Sequence, residues 1–138
     1  MARTKKLTQS DVRHRAGTAR EHLQVALERK EYIDGQIGPS AEAQVCASNA
    51  ISAGIAAADA ICGAVLGERA NDQDHTAAAD LLAAVQPNGP ALAKLLRRLL
   101  TDKSQLQYGG YCTAAVARKM TGHAEVLVGA MKGFGIRS

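Results

Sequence analysis

Aromatic residues are scarce in this chain of 138 residues, which has three Tyr, one Phe and no Trp. So few aromatic and β-branched residues argue against a β-sandwich, a barrel or a sheet on which nucleic-acid bases stack. Alanine, the strongest helix former, supplies 27 residues, about a fifth of the chain. With 46% hydrophobic and 22% charged residues, the composition predicts a single globular, all-α domain.

Long apolar segments are also lacking. We find no run of about 18 uncharged apolar residues, so the sequence predicts no membrane span. Residues 1–10 are polar and basic, which is unlike a secretory signal peptide. We therefore expect a soluble, cytoplasmic protein.

Cysteine is limited to Cys46, Cys62 and Cys112, with no CxxC pair. An odd number without close spacing argues against a disulfide framework and against a zinc site. Cys46 and Cys62 lie on one predicted helix, about 160° apart around its axis, too far to bind one metal together. We expect the cysteines to be small buried apolar side chains, and we expect no metal and no other cofactor.

Charge is unevenly distributed along the chain, although the net value is only +4. Residues 1–38 carry eight Lys/Arg and five Asp/Glu, residues 39–91 carry one and six, and residues 92–138 carry eight and two. An acidic middle beside a basic C-terminal third has two interpretations. The helices or subunits are complementary in charge, or the protein has a basic face for phosphates.

Apolar residues recur with the helical period in five segments, each bounded by capping or helix-breaking residues. The predicted segments are 10–33, 40–67, 74–85, 88–107 and 113–134. Small residues fill much of the second segment, which allows close helix approach, so we expect it to be the central, most buried helix. Short connections predict an up-and-down bundle of four to five helices. It occupies the single domain 1–138, with a core over about 10–132 and a short basic tail over 1–9.

Polar residues on apolar helix faces are the best indicators of function in such a bundle, because their burial costs free energy. Lys103 is the clearest, since it lies about 20° from Leu92 on the helical wheel. Its stem can pack while its ammonium reaches water. Alternatively, it directs a cation into a polar pocket for a phosphate or a carboxylate.

Asp59 lies at the edge of the apolar arc of the second helix, in line with Ser48 and Ser52. These three residues form one polar seam. It is either a hydrogen-bond network between helices or the wall of a binding site.

Two histidines also lie on apolar stripes. His75 begins the stripe of the short third helix, where the helix dipole disfavours the imidazolium form, and His123 lies between Met120 and Leu127. Each is either a core histidine with satisfied hydrogen bonds or a functional group.

No sequence-evident catalytic motif is present, but the layout resembles a known family. Its signature elements are matched by an Ala-rich helix over 48–61, the run Asp72-Gln73-Asp74-His75, and the segment 95–109 with its Leu-Leu-Arg-Arg-Leu-Leu run. Thr113 then caps the closing helix. Over about residues 10–132 the chain resembles the HEPN-domain proteins.

The resemblance implies a small helical bundle that forms a homodimer. Many HEPN proteins are metal-independent ribonucleases of toxin–antitoxin and defence systems, and others bind nucleotides or partner a minimal nucleotidyltransferase. The nucleases carry an Arg followed, after four to six residues, by a His. The Arg stabilises charge on the phosphate, and the His transfers a proton for attack by the ribose 2′-hydroxyl.

This chain departs from that pattern at the reactive positions. Lys103 takes the Arg position, Ser104 the polar position after it, and Tyr108 the His position. A lysine lacks the bidentate fork of arginine, and a tyrosine, with an ordinary pKa of about 10, is a poor base at neutral pH.

The sequence thus leaves two functional hypotheses and a purely structural or regulatory role. The first is a non-catalytic module that binds a protein partner, a nucleotide or RNA in a groove. That groove is lined by Ser48, Ser52, Asp59, Lys103, Ser104 and Tyr108. The second is a divergent ribonuclease that uses Lys103, Tyr108 and His75.

Overall fold

The computed structural model describes residues 4–71, 74–109 and 112–137, and over 104–109 it describes the backbone alone. Five helices dominate it: α1 (Gln9–Ile33), α2 (Ala41–Leu66), α3 (His75–Ala83), α4 (Gly89–Gly109) and α5 (Ala114–Ala130). A 3₁₀ turn, Met131–Phe134, follows α5. The predicted all-α bundle is confirmed at this level, and its five helices correspond to the five predicted segments.

Several predicted helix ends are confirmed by capping hydrogen bonds. The Ser40 and Thr113 hydroxyls accept from the backbone N–H groups of Ala43 and Val116, at 3.0 and 3.3 Å. Such bonds satisfy donors that the first turn of a helix cannot pair internally. At the other end of α2, Gly67 takes a left-handed φ of 76°, which glycine adopts without steric cost.

Two elements differ from the sequence prediction. Strands β1 (Thr4–Lys6) and β2 (Glu68–Ala70) form an antiparallel ribbon, so part of the predicted N-terminal tail pairs with the chain just after α2. A strand of three residues is too short to show the alternation of apolar and polar residues that identifies strands in a sequence, and here its pairing partner is distant in the chain. In addition, α4 extends to Gly109, so its backbone is still helical at Tyr108, just beyond the predicted segment 88–107.

The helix α2 is the centre of the molecule, as predicted. It packs against the other four helices and β2, and most of its residues are buried. By length and composition alone it is apolar enough to cross a membrane. However, 67% of its most apolar window is buried inside the bundle, which is typical of the core helix of a soluble protein.

Gly54 shows how closely the helices approach α2. A Cβ atom added there would lie 2.5 Å from Leu99 Cδ1 of α4 and 3.3 Å from Leu127 Cδ1 of α5. Both leucines are fully buried, so neither side chain can swing into solvent to make room. The small residue at position 54 therefore sets the spacing of three helices.

We expect Gly54→Ala and Gly122→Ala to change stability in opposite directions. The Cβ at 54 overpacks the core, at a cost of about 1–3 kcal/mol. The Cβ at Gly122, an exposed position in α5 with no atom within 4 Å, raises helix propensity by up to about 1 kcal/mol. Denaturant unfolding of both variants measures the difference, and equal stabilisation by both would contradict this packing.

Candidate functional site

The candidate site lies where α3 and α4 meet, at a contact between two residues that the sequence singled out separately. Lys103 Nζ of α4 is 3.1 Å from His75 Nε2 in the first turn of α3. A protonated lysine has donors and no acceptor. The contact therefore requires Nε2 to accept, and the imidazole to be neutral with its proton on Nδ1.

The electrostatics of His75 agree with a neutral imidazole. Burial lowers the pKa of His75 below its ordinary value, and the charge of Lys103 lowers it further. The Asp74 carboxylate opposes these effects, but its Oδ1 also accepts from the N–H of Ala77 as the N-cap of α3. His75 is consequently held as a hydrogen-bond acceptor beside a cation.

An open cleft of about 510 Å³ extends from this pair along the groove between α3 and α4. Its lining combines cations, hydroxyls and an apolar wall: His75, Thr76, Ala79, Arg97, Leu100, Thr101 and Lys103. Arg97 Nη2 also bonds Asp80 Oδ1 at 2.9 Å across the same two helices. Both partners of that ion pair are exposed, so it contributes little to stability, but it fixes Arg97 at the rim of the cleft.

A second, smaller cavity of about 70 Å³ shares His75 with the first. Asp59 of α2 lines it and is buried, and its Oδ2 accepts from Arg15 Nη2 of α1 at 3.0 Å. Arg69 of β2 and Asn71 also line this cavity. The ribbon therefore helps to build the site, because β2 carries an arginine to the start of α3.

The structure brings some of the predicted site residues together and separates others. Lys103 contacts His75, and Asp59 lines a cavity that also contains His75. Ser48 is exposed and Ser52 half-buried, and neither lines the two cavities described above. The side chains of Ser104 and Tyr108 lie outside the described residues.

Sequence reasoning did not single out Arg15 and Arg69, although each left a signal. Arg15 lies three residues after Val12 and four before Ala19, on the edge of the buried stripe of α1. Arg69 is the only Lys or Arg between residues 39 and 91. A cation beside an apolar stripe and a single cation in an acidic segment are both signals of a polar site, as the position of Lys103 is.

His123 lies elsewhere, on the α5 side of the bundle. It is half-buried, and among the described residues its buried Nε2 has no hydrogen-bond partner. Burial, Arg98 and Lys119 lower its pKa, while Asp102 opposes them. His123 does not line the α3–α4 cleft.

The three cysteines are buried, as predicted. Burial raises the pKa of each thiol, that of Cys62 to about 12. Such thiols stay protonated and unreactive at neutral pH. Within the described ranges, no group of three or more His, Cys, Asp or Glu side chains is arranged to hold a metal ion.

Comparisons of the chain with protein-family models, with curated proteins and with solved structures found no match.

The lowered pKa of His75 predicts how stability depends on pH. The unfolded chain takes up a proton on this histidine near pH 6.5, whereas the folded protein does so only at lower pH. The contribution of His75 to the free energy of unfolding is therefore fully present above about pH 6.5. It is lost as the pH falls through the pKa of His75 in the unfolded chain and then through its lower pKa in the folded protein.

We expect His75→Gln to lose less unfolding free energy than the native protein between about pH 7 and pH 5, because Gln does not titrate. Denaturant unfolding at a series of pH values measures the slopes. His14→Gln, at an exposed position of α1, is the control and is expected to keep the native slope. A native slope in His75→Gln would contradict the neutral imidazole.

Proposed function

We propose that this protein is a non-catalytic, HEPN-like helical module that binds a phosphate group of a nucleotide or RNA in the cleft between α3 and α4. The observation that carries the proposal is the Lys103–His75 contact at 3.1 Å on the wall of an open cleft. A protein partner, the other ligand class suggested by the sequence, has no comparable support from the site.

The lining of the cleft suits a phosphate better than other small ligands. It offers the Lys103 ammonium, the Arg97 guanidinium and two threonine hydroxyls, and none of the described residues that line it is a carboxylate. Hydrogen bonds between cations and anionic oxygens are about twice as strong as neutral ones. The apolar wall of Ala79 and Leu100 gives a surface for the flat face of a nucleoside.

Support for a HEPN-like assignment comes from the order and character of the helices. A long, small-residue α2 is followed by the short α3, then by the leucine-rich α4 that carries Lys103, and finally by α5 with its Thr113 cap. Of the sequence segments on which the resemblance rests, residues 48–61 lie in α2, His75 begins α3 and residues 95–109 lie in α4.

Binding is favoured over cleavage because a suitable base is missing at the family's His position. Tyr108 occupies it, and a phenol is rarely ionised at neutral pH. The nearby imidazole of His75 accepts from Lys103 through Nε2, so its lone pair is engaged. The resemblance adds a homodimer, a toxin–antitoxin or defence setting and a nucleotidyltransferase-type protein partner. Together with the cytoplasmic location expected from the sequence, these form the wider part of this proposal.

The direct test is titration of the protein with AMP and with a short single-stranded RNA at several salt concentrations. We expect saturable binding that weakens as salt rises, because phosphate contacts displace counterions. Lys103→Met keeps the apolar stem but removes the charge. It should weaken binding about tenfold or more, as expected for a charged hydrogen bond of about 1.5–3 kcal/mol.

Lys94→Met is the matched control, because Lys94 is an exposed lysine of the same helix and does not line the cleft. It is expected to bind like the native protein. Equal affinity of the two variants, or no saturable binding by the native protein, would contradict the proposed function.

A divergent metal-independent ribonuclease is the second candidate, and the proximity of Lys103 to a histidine is the observation that favours it. Cleavage requires His75 to release its contact with Lys103 and to accept the 2′-hydroxyl proton, while Lys103 stabilises the phosphate charge.

An RNA-cleavage assay in a chelator tests this alternative. Binding without cleavage by the native protein is the result that we expect. Cleavage that is lost in Lys103→Ala, Tyr108→Phe and His75→Gln would instead establish the enzyme, whereas cleavage that persists in all three would come from a contaminant.

A further inference from the structure

The two cavities that share His75 differ sharply in size and lining. The open cleft, at about 510 Å³, falls within the range of sites that enclose small organic ligands. The smaller cavity, at about 70 Å³, has the volume of roughly two water molecules. It can accept a single phosphoryl group, and it is far too small for a nucleobase.

The small cavity is lined by groups that suit an anion. Among the described residues that line it, Arg15 and Arg69 lie together with Asn71 and His75, and one carboxylate, that of Asp59, accompanies the two guanidiniums. The charge of these lining residues is therefore positive, with His75 neutral. Asp59 orients Arg15 by accepting from its Nη2, which holds the guanidinium against the cavity.

Arg15 has a donor that the described residues do not satisfy. Its Nε is buried and has no hydrogen-bond partner among them. An unpaired buried donor costs about 1–3 kcal/mol, more when the group is charged, so an acceptor is expected beside it. An oxyanion bound in the small cavity, which Arg15 lines, would supply such an acceptor.

We propose that the two cavities form one site for the phosphorylated end of an RNA chain. The terminal phosphoryl group occupies the small cavity between Arg15 and Arg69, and the next phosphate lies at Lys103 in the cleft. This inference rests on the proposed function and names its ligand class.

The imidazole that both cavities share favours a nucleic-acid strand over a polyphosphate chain as the ligand. His75 forms a wall of both cavities, so the two anions have an imidazole between them. Successive phosphates of RNA are separated by a whole sugar unit, which leaves that room, whereas the phosphates of a diphosphate share one oxygen. The open cleft then takes the first nucleoside against Ala79 and Leu100.

The test compares tetranucleotide RNAs that have a 5′-phosphate, a 3′-phosphate or only hydroxyl ends, together with AMP. We expect one phosphorylated end to tighten binding about tenfold or more over the hydroxyl ends, and AMP to bind more weakly than that RNA, because it lacks the second phosphate. The end that is preferred identifies the polarity of the bound strand.

Two arginine variants test whether the small cavity recognises the phosphorylated end, and a third variant, at Lys103, tests the cleft. Arg69→Gln is expected to abolish the advantage of the phosphorylated end, so that this variant binds phosphorylated and hydroxyl-ended RNA equally. Arg15→Lys keeps a charge opposite Asp59 but removes the Nε donor, and it should reduce the same advantage. Lys103→Met should weaken both RNAs by the same factor. Thermal unfolding of each variant shows that it is folded.

Failure of the inference and failure of the proposed function give different results. Equal binding of phosphorylated and hydroxyl-ended RNA, a preference that survives both arginine variants, or AMP binding as tightly as the RNA overturns the end-recognition site alone. Absence of binding by every probe overturns the proposed function as well.

Discussion

The buried carboxylate of Asp59 is the interaction on which the site depends. Among the described residues it is the one Asp, Glu, Lys or Arg side chain that is buried, and it lies in the most alanine-rich part of α2. A buried charge is tolerated only when it is paired. The pairing with Arg15 turns a guanidinium of α1 inward, and the cavity that it lines reaches His75 at the start of α3. Fold and site are therefore coupled through one ion pair.

The small-residue packing of α2 makes this arrangement possible. Alanine and glycine let the neighbouring helices approach closely, as Gly54 shows for α4 and α5, and buried leucines of these two helices fill the space beside it. The short α3 does not cover the whole length of α4, and a cleft remains along their contact. Cations line the cleft, and its described imidazole, His75, accepts from Lys103, which is why we propose binding rather than cleavage there.

Local sequence patterns were sufficient to predict the helices, but not the side-chain contacts between them. The period of the apolar residues and the caps at Ser40 and Thr113 are properties of consecutive residues, and the structure confirms them. Lys103 and His75 were each visible as polar groups on apolar faces. Their contact was not, because it joins residues 28 positions apart and depends on how α3 packs on α4.

The features that the sequence did not predict depend on contacts between residues that are even farther apart in the chain. The pairing of β1 with β2 joins Thr4 to Ala70, and two three-residue strands carry no periodic signal. Arg15 and Asp59 are 44 residues apart. The predicted seam with Ser48 and Ser52 follows the axis of α2, but the exposed position of Ser48 shows that the bundle turns that end of the seam towards solvent. Asp59 is instead matched by a side chain from α1.

The most direct test of the account is an NMR titration of His75 and His123 in the same sample, with and without inorganic phosphate. Both imidazoles are half-buried and have lowered pKa values, but His123 is outside the cleft. The account predicts that phosphate raises the pKa of His75, because a bound anion favours the imidazolium, and leaves that of His123 unchanged. Equal shifts of both histidines, or no shift of His75 at saturating phosphate, would contradict it.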